Sequence, residues 1–246
     1  SCALRANITG CSNVAIGTRA LETNTLGHSN ISIGVYSSLS NTTGKQNVAV
    51  GMSALESNTV GYGNTALGYL AMKLGATAKY TVGIGYQAGY RSASTSPNTL
   101  VGYGAGCNVT TGYGNAVLGQ YNYLGAGTKY GVAIGWQAYE GGANTSGIGN
   151  VAVGKRSMRV ATSGNNNTAV GSNSLCAVTT GSSNAVVGSS AGSTLTTGSN
   201  NTILGYNAQP STATVANEIT LGDTNVTAMR IPALSYSINS SGQVSA

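Results

Sequence analysis

The side chains that could carry acid–base or nucleophilic chemistry are few in this sequence. General acid–base catalysis requires a titratable group within hydrogen-bonding reach of the reacting atom, and a nucleophilic Ser or Cys requires a base beside it. The available residues are scattered along the chain and lack aromatic partners, so we expect no catalytic residues. A carboxylate pair that cleaves polysaccharide, as in a tailspike, stays a minor alternative. The acids and the one histidine are Glu22, Glu56, Glu140, Glu218, Asp223 and His28.

The sequence also contains few residues that could bind a metal ion or a cofactor. The four cysteines, Cys2, Cys11, Cys107 and Cys176, follow no zinc-binding spacing, and only one histidine is present. Calcium-binding repeats place Asp in every turn, whereas Asp223 is the only aspartate. The glycines form no phosphate-binding GxxxxGK[ST] loop. We therefore expect no metal and no cofactor, and interpret the cysteines as free thiols.

Charge and hydropathy exclude two classes of partner. The net charge is +6, but the 11 lysines and arginines are dispersed instead of lying in one run. A nucleic-acid-binding protein concentrates them, so we expect no nucleic-acid partner. No apolar run approaches the roughly 18 residues that a membrane span needs, so we expect no membrane insertion.

The dominant feature is an internal repeat that contains most of the 37 glycines. A glycine closes the motif Asn-x-Ala-Val/Ile/Leu-Gly thirteen times. The steps are 17 residues, apart from one of 16 and one of 19, which together nearly restore the phase. These glycines are Gly17, Gly34, Gly51, Gly68, Gly85, Gly102, Gly119, Gly135, Gly154, Gly171, Gly188, Gly205 and Gly222.

Each repeat unit is numbered from the first residue of its motif, which is Asn in ten of the thirteen units. Position 4 is always Ile, Val or Leu, position 5 is always Gly, and position 15 is usually Gly. The consensus is NxAVGxxALxxxTxGxx. The asparagines at position 1 are Asn13, Asn30, Asn47, Asn64, Asn98, Asn115, Asn150, Asn167, Asn184 and Asn201.

This repeat predicts an all-β fold, a parallel β-solenoid of about 13 coils. Positions 2 to 4 favour a short strand, and the glycines favour turns. A 17-residue unit has room for two short strands and two turns, which make one coil. Each coil adds about 4.8 Å, giving a rod of roughly 60 Å. The asparagines at position 1 then stack into a hydrogen-bonded ladder.

The strands are apolar at consecutive positions, as in Val48-Ala49-Val50. Such a strand is covered on both faces, and one coil is too small to cover both. We therefore expect further copies of the chain to cover the second face in a closed oligomer. Position 3 is mostly Ala or Ser, which we interpret as allowing close approach near the symmetry axis.

Aromatic residues provide the candidate contacts for a cell-surface glycan or receptor. Position 6 carries a column that also includes Gln120, and position 16 carries another. The stretch 121–149, where the period slips, is expected to hold a bulge or loop, with Trp136, Tyr139 and Glu140 as the preferred local site. The alternative is that tyrosine ladders only stabilise the stack. The candidates are Tyr69, Tyr86, Tyr103, Trp136, Tyr139, Tyr62, Tyr113 and Tyr130.

The two ends differ from the repeat. Residues 1–222 are expected to be the solenoid, which begins in mid-coil as in a piece of a longer fibre. Residues 223–246 are expected to be an exit, cap or linker. In that segment, 223–227 favours a strand that Arg230-Ile231-Pro232 interrupts.

Motifs such as Asn13-Val14-Ala15-Ile16-Gly17 and Asn167-Thr168-Ala169-Val170-Gly171 resemble the head repeat of YadA-like trimeric autotransporter adhesins. The 17-residue period is more similar to repeats in phage tail fibres. The resemblance covers residues 3 to 222. It implies a left-handed parallel β-roll, intertwined or packed as a homotrimer, in an extracellular fibre on a virion or a bacterial cell surface.

Together these features predict a non-catalytic trimeric fibre protein that attaches to a host, a prey cell or a cell-surface glycan or receptor. A purely structural shaft, with the binding tip elsewhere, is the main alternative. The flanking sequence would distinguish the two.

Overall fold

The computed structural model of the chain describes residues 2–93, 97–141, 146–231, 236–239 and 244–245. Its main part is a β-solenoid in which one three-residue strand per coil occupies positions 2 to 4, as the repeat predicted. The strands are β1 Val14–Ile16, β2 Ile31–Ile33, β3 Val48–Val50, β4 Thr65–Leu67, β5 Val82–Ile84, β6 Thr99–Val101, β7 Ala116–Leu118, β8 Val132–Ile134, β9 Val151–Val153, β10 Thr168–Val170, β11 Ala185–Val187, β12 Thr202–Leu204 and β13 Ile219–Leu221.

The thirteen strands form one parallel sheet in chain order, so the predicted parallel solenoid with its 17-residue spacing is confirmed. Equivalent positions pair throughout, as in Thr65 with Val82. The register of strand pairing is also kept where the repeat length changes to 16 and then to 19 residues, because Ala116 pairs with Val132 and Val132 pairs with Val151. Residues 142–145, within the stretch expected to hold a bulge or loop, lie outside the described part.

The second strand expected in each coil is absent from the described coils. Overlapping turns replace it: in the first full coil Ala20 N–H donates to Gly17 O, Glu22 N–H to Arg19 O and Asn24 N–H to Leu21 O. Arg19 and Leu21 have positive φ (57° and 50°), and positions 7 and 9 repeat this in other coils. This side of the coil therefore alternates right- and left-handed backbone and cannot be a strand.

Position 3 lies inside its own coil, so the expectation that it approaches a symmetry axis is wrong. Strand residues alternate in direction, and the burial follows, with a buried centre between two more exposed neighbours in β2, β7 and β11. Position 3 packs with positions 8 and 9, as Ala49 does with Ala54 and Leu55. The small residues at position 3 reflect the narrow interior of one coil.

The glycine at position 5 turns the chain from the strand into the next side of the coil. Gly171 has φ +135°, a region that residues with a Cβ rarely adopt. A Cβ at Gly171 would lie 2.4 Å from Gly188 O in the next coil, so the close stacking of coils also requires glycine.

The exit differs from its prediction. Thr224 and Asn225 form a turn instead of continuing a strand. A three-stranded antiparallel sheet follows, made of β14 Ala228–Ile231, β15 Tyr236–Asn239 and β16 Val244–Ser245. Arg230 and Ile231 therefore belong to a strand, and residues 232–235 lie outside the described part. No helix in the described residues could cross a membrane.

Candidate functional site

The asparagines at position 1 form a buried ladder along the solenoid. In a typical step, the Asn47 backbone N–H and Nδ2 both donate to Asn30 Oδ1, at 3.0 and 3.2 Å. The same Nδ2 donates to Gly61 O at 2.9 Å. The asparagine thus joins its own coil to the preceding one and satisfies a carbonyl at position 15. The ladder runs through Asn13, Asn30, Asn47 and Asn64, through Asn98 and Asn115, and through Asn150, Asn167, Asn184 and Asn201.

Sequence reasoning missed a second ladder at position 12. Asn24, Asn41 and Asn58 each donate from Nδ2 to the Oδ1 of the asparagine one coil earlier, at 2.7 to 3.0 Å. It begins at Asn7, and the repeated Asn-Thr pair at positions 12 and 13 was the available signal. The ladder ends at Asn58, whose buried Oδ1 has no hydrogen-bond partner in the described part. Later coils place apolar residues such as Val109 at position 12.

Strand positions 2 and 4 point away from the core and form an apolar face, here called the strand face. It comprises 26 residues from thirteen strands, and every one is Val, Ile, Leu, Thr or Ala. Position 4 forms an unbroken column of Val, Ile and Leu. Several members are strongly exposed, for example Ile16 at 58% and Leu118 at 53%. The described chain therefore leaves an uncharged apolar stripe along its length.

The tyrosines at position 6 stack on one another. Tyr86 and Tyr103 are parallel, with ring centroids 4.7 Å apart and an interplanar angle of 6°. Tyr69 extends the stack on one side, at 5.4 Å from Tyr86, and Tyr121 extends it on the other, at 4.9 Å from Tyr103. In that coil position 6 is Gln120, which has no ring, and Tyr121 at position 7 continues the stack instead. Tyr86 and Tyr103 therefore have a ring on each side, whereas Tyr69 has one on a single side, and all three remain partly exposed.

The predicted position 16 column becomes two edge-to-face tyrosine pairs. Tyr62 lies 5.1 Å from Tyr80, and Tyr113 lies 5.2 Å from Tyr130. Both Tyr80 and Tyr130 have φ 53° and directly precede position 1, so Tyr130 corresponds to position 17 and not to position 16. Lysines lie over these rings: Lys79 over Tyr62 and Lys129 over Tyr113, each at 5.1 Å. These ring faces are also occupied.

Trp136 and Tyr139 do not form a common surface. Trp136 is partly exposed, and Lys155 and Arg156 from the next coil lie over its ring at 5.5 and 4.9 Å. Tyr139 is fully buried, and its hydroxyl accepts a hydrogen bond from Asn150 Nδ2 at 3.0 Å. Position 9 is an inward-facing column, which removes Tyr139 from the surface candidates.

The carboxylates are separated and engaged with other groups. Glu22 pairs with Arg19 and, at 2.9 Å, with Arg5. The hydrogen bond from Arg19 holds the pKa of Glu22 below its usual range. Glu56 lies 3.4 Å from Lys73. None of these contacts joins two acids across a cleft.

The remaining acids and the thiols form no cluster either. Hydrogen bonds from Ser211 and Thr220 lower the pKa of Glu218. The four thiols form no disulfide, and burial raises the pKa of Cys107 to about 11. The described residues contain no group of three or more His, Cys, Asp or Glu that could hold a metal ion.

Comparison of the chain with models of protein families, with curated proteins and with solved structures finds no match in any of the three.

Proposed function

We propose that this chain is a segment of a non-catalytic, homotrimeric extracellular fibre, from a virion tail or a bacterial surface, that mediates attachment to a cell-surface glycan or receptor. The strand face is the observation that carries this proposal. A solenoid with a continuous exposed apolar face is suited to packing against copies of itself. Its elongated form is suited to holding a binding surface away from the particle or cell.

The size and composition of the strand face support burial in an oligomer. It spans 26 residues, comparable to the roughly 20 to 30 residues per partner of a stable interface. It runs along thirteen strands at about 4.8 Å spacing, and an exposed apolar patch of this extent is typical of an interaction surface. It contains none of the chain's charged residues. An apolar stripe of this length in water favours self-association.

Another copy of the same chain is the occupant that fits best. Because the coils repeat with one spacing, identical stripes side by side match in pitch along their whole length. Rotational symmetry then places the same surface of each copy at a common axis. The resemblance to trimeric fibre repeats favours three copies.

The mass of the assembly tests this proposal. Sedimentation equilibrium of the full chain is expected to give three times the chain mass of 24.4 kDa. A species of 24.4 kDa at micromolar concentration would overturn the homotrimer. A different stable multiple would retain self-association and overturn the count of three.

A structural shaft is the second candidate, and the tyrosine stack favours it. The ring of Tyr86 contacts those of Tyr69 and Tyr103, and Lys79 and Lys129 lie over other rings. These aromatics therefore stabilise the stack of coils. A glycan array with no binding by the trimeric protein would favour the shaft over the attachment fibre.

A further inference from the structure

An open cavity of about 330 Å³ lies at the last coil of the solenoid. This volume is at the lower end of the range for small-molecule sites, which is about 300 to 1,000 Å³. The lining consists of polar residues and one glycine, and it contains no lysine or arginine. Its residues are Asn207, Gln209, Thr220, Gly222, Asp223 and Thr224.

Part of the lining is held in place by hydrogen bonds. Gln209 Nε2 donates to Ser190 O at 2.6 Å, and Gln209 Oε1 accepts from the Thr194 hydroxyl at 3.0 Å. The two carboxylate oxygens of Asp223 accept from the backbone N–H and the Nδ2 of Asn225, both at 2.9 Å. The carboxylate is thereby oriented, and it keeps unused lone pairs because each oxygen can accept more than one hydrogen bond.

Other polar groups of the lining are free to bind. Asn207 accepts at Oδ1 from Gln209, but its Nδ2 donates to nothing among the described residues. The hydroxyl of Thr224 is likewise without a partner there. The cavity therefore presents an anionic acceptor, an amide donor and a hydroxyl.

An exposed aromatic residue directly precedes part of this lining in the chain. Tyr206 is 73% exposed, the most exposed aromatic side chain of the described part, where no ring or cation lies against it. It precedes Asn207 in the chain and occupies position 6, as Asp223 does one coil later. Equivalent positions in neighbouring coils lie about 4.8 Å apart, so the backbone of Tyr206 lies one coil from that of Asp223.

We propose that Tyr206, Asn207, Asp223 and Thr224 bind a neutral hexose at the end of a glycan chain. The apolar face of the sugar would pack on the Tyr206 ring, and its hydroxyls would donate to Asp223 and accept from Asn207 and Thr224. Asp223 disfavours sugars with a carboxylate or sulfate, because no cation lines the cavity to offset the repulsion between like charges. The site rests on the proposed attachment function and gives it a ligand class.

The test uses the full-length chain in its native oligomer and the methyl glycosides of glucose, galactose and mannose as probes. Saturation-transfer NMR identifies any bound hexoside, and calorimetry measures its affinity. Asp223→Asn is expected to weaken the affinity by about tenfold or more, the scale of a lost hydrogen bond to a charged group. Tyr206→Ala is expected to weaken it by about tenfold, because it removes the apolar surface on which the sugar packs. Neither side chain is in the core, so the variants should fold, as circular dichroism would show.

Tyr86→Ala is the matched control, since it removes a tyrosine of the same column whose faces are already covered. It should leave the hexoside affinity unchanged. Three results would each overturn the site: absence of binding by all the hexosides, preference for methyl glucuronide or sialic acid, or an affinity in both site variants equal to that of the unchanged chain. Sedimentation of the same samples separates this result from the proposed fibre, because an intact trimer without sugar binding removes only the site.

Discussion

At the scale of single residues, asparagine carries more of the structure than its polarity suggests. Asn47 donates both to Asn30 and to Gly61 O, and its own Oδ1 accepts from Asn64. The repetition of Asn at position 1 was sufficient to predict this ladder. The partner carbonyl at position 15 was not predictable, because it depends on how the turn closes.

Replacing Asn47 with alanine should therefore destabilise the solenoid strongly. The change leaves the buried backbone N–H of Asn64 without a partner, which costs about 1 to 3 kcal/mol. It also removes one of the two partners of Gly61 O and one of the two partners of Asn64 Nδ2. Urea unfolding followed by circular dichroism would measure the loss. Asn108→Ala is the control, since that side chain makes no hydrogen bond within the described residues. Equal midpoints for the two variants would contradict the role of the ladder.

Cys107 should react slowly with alkylating reagents. Its pKa is raised to about 11 by burial, so near pH 8.5 its thiolate fraction is about 100-fold below that of an ordinary thiol. Its reactivity should rise only as the pH approaches 11. Cys2 and Cys11 are exposed and serve as internal controls. Peptide mass spectrometry after timed iodoacetamide treatment would show the order in which the cysteines are alkylated. Labelling of Cys107 at the same rate as Cys2 and Cys11 would refute the prediction.

At the scale of the elements, the strands were predictable and the turn side was not. The strand at positions 2 to 4 follows from β-branched residues repeated thirteen times. Residues such as Arg19 and Leu21 have no intrinsic preference for positive φ, so no local signal indicates their conformation. Hydrogen bonds between coils, such as Leu21 N–H to Ser37 O, stabilise it. The burial of Tyr139 was missed for a related reason, because position 9 faces inward only in this turn geometry.

The stacked tyrosines should stabilise the coils that they connect. Tyr86 contacts Tyr69 and Tyr103, and an aromatic pair contributes about 0.5 to 1.5 kcal/mol. Tyr86→Leu should thus lower the stability by about 1 to 3 kcal/mol. A double-mutant cycle with Tyr103→Leu should give a coupling energy of about 1 kcal/mol. Tyr206→Leu is the control, since no other ring lies against Tyr206. If the stability losses of Tyr86→Leu and Tyr103→Leu were strictly additive, the stacking contribution would be excluded.

At the scale of the whole molecule, the strand face is the surface through which we propose that copies assemble. Consecutive apolar residues in each strand predicted that both faces of the strand are covered. The prediction that position 3 approaches a symmetry axis was wrong. Position 3 fills its own coil, and positions 2 and 4 face outwards. A sequence pattern of three apolar residues cannot decide which of them points inward; the closure of the coil decides it.

A charge in the middle of this face should separate the copies without unfolding them. In Leu118→Lys, assembly would bring an unpaired ammonium group from each copy into an apolar contact, which is costly. Sedimentation should then give the mass of a single chain with an unchanged circular dichroism spectrum. Thr197→Lys, on an exposed turn, should assemble normally. Assembly of the Leu118 variant would show that another surface makes the contact.

The two asparagine ladders also have a direction. In both, the side-chain amide of the later coil donates to the oxygen of the earlier coil. The amide dipoles are therefore aligned, with their positive ends towards the first coil and their negative ends towards the last, as peptide dipoles are in a helix. Copies packed in parallel would sum these dipoles, so the two ends of each ladder differ in electrostatic potential.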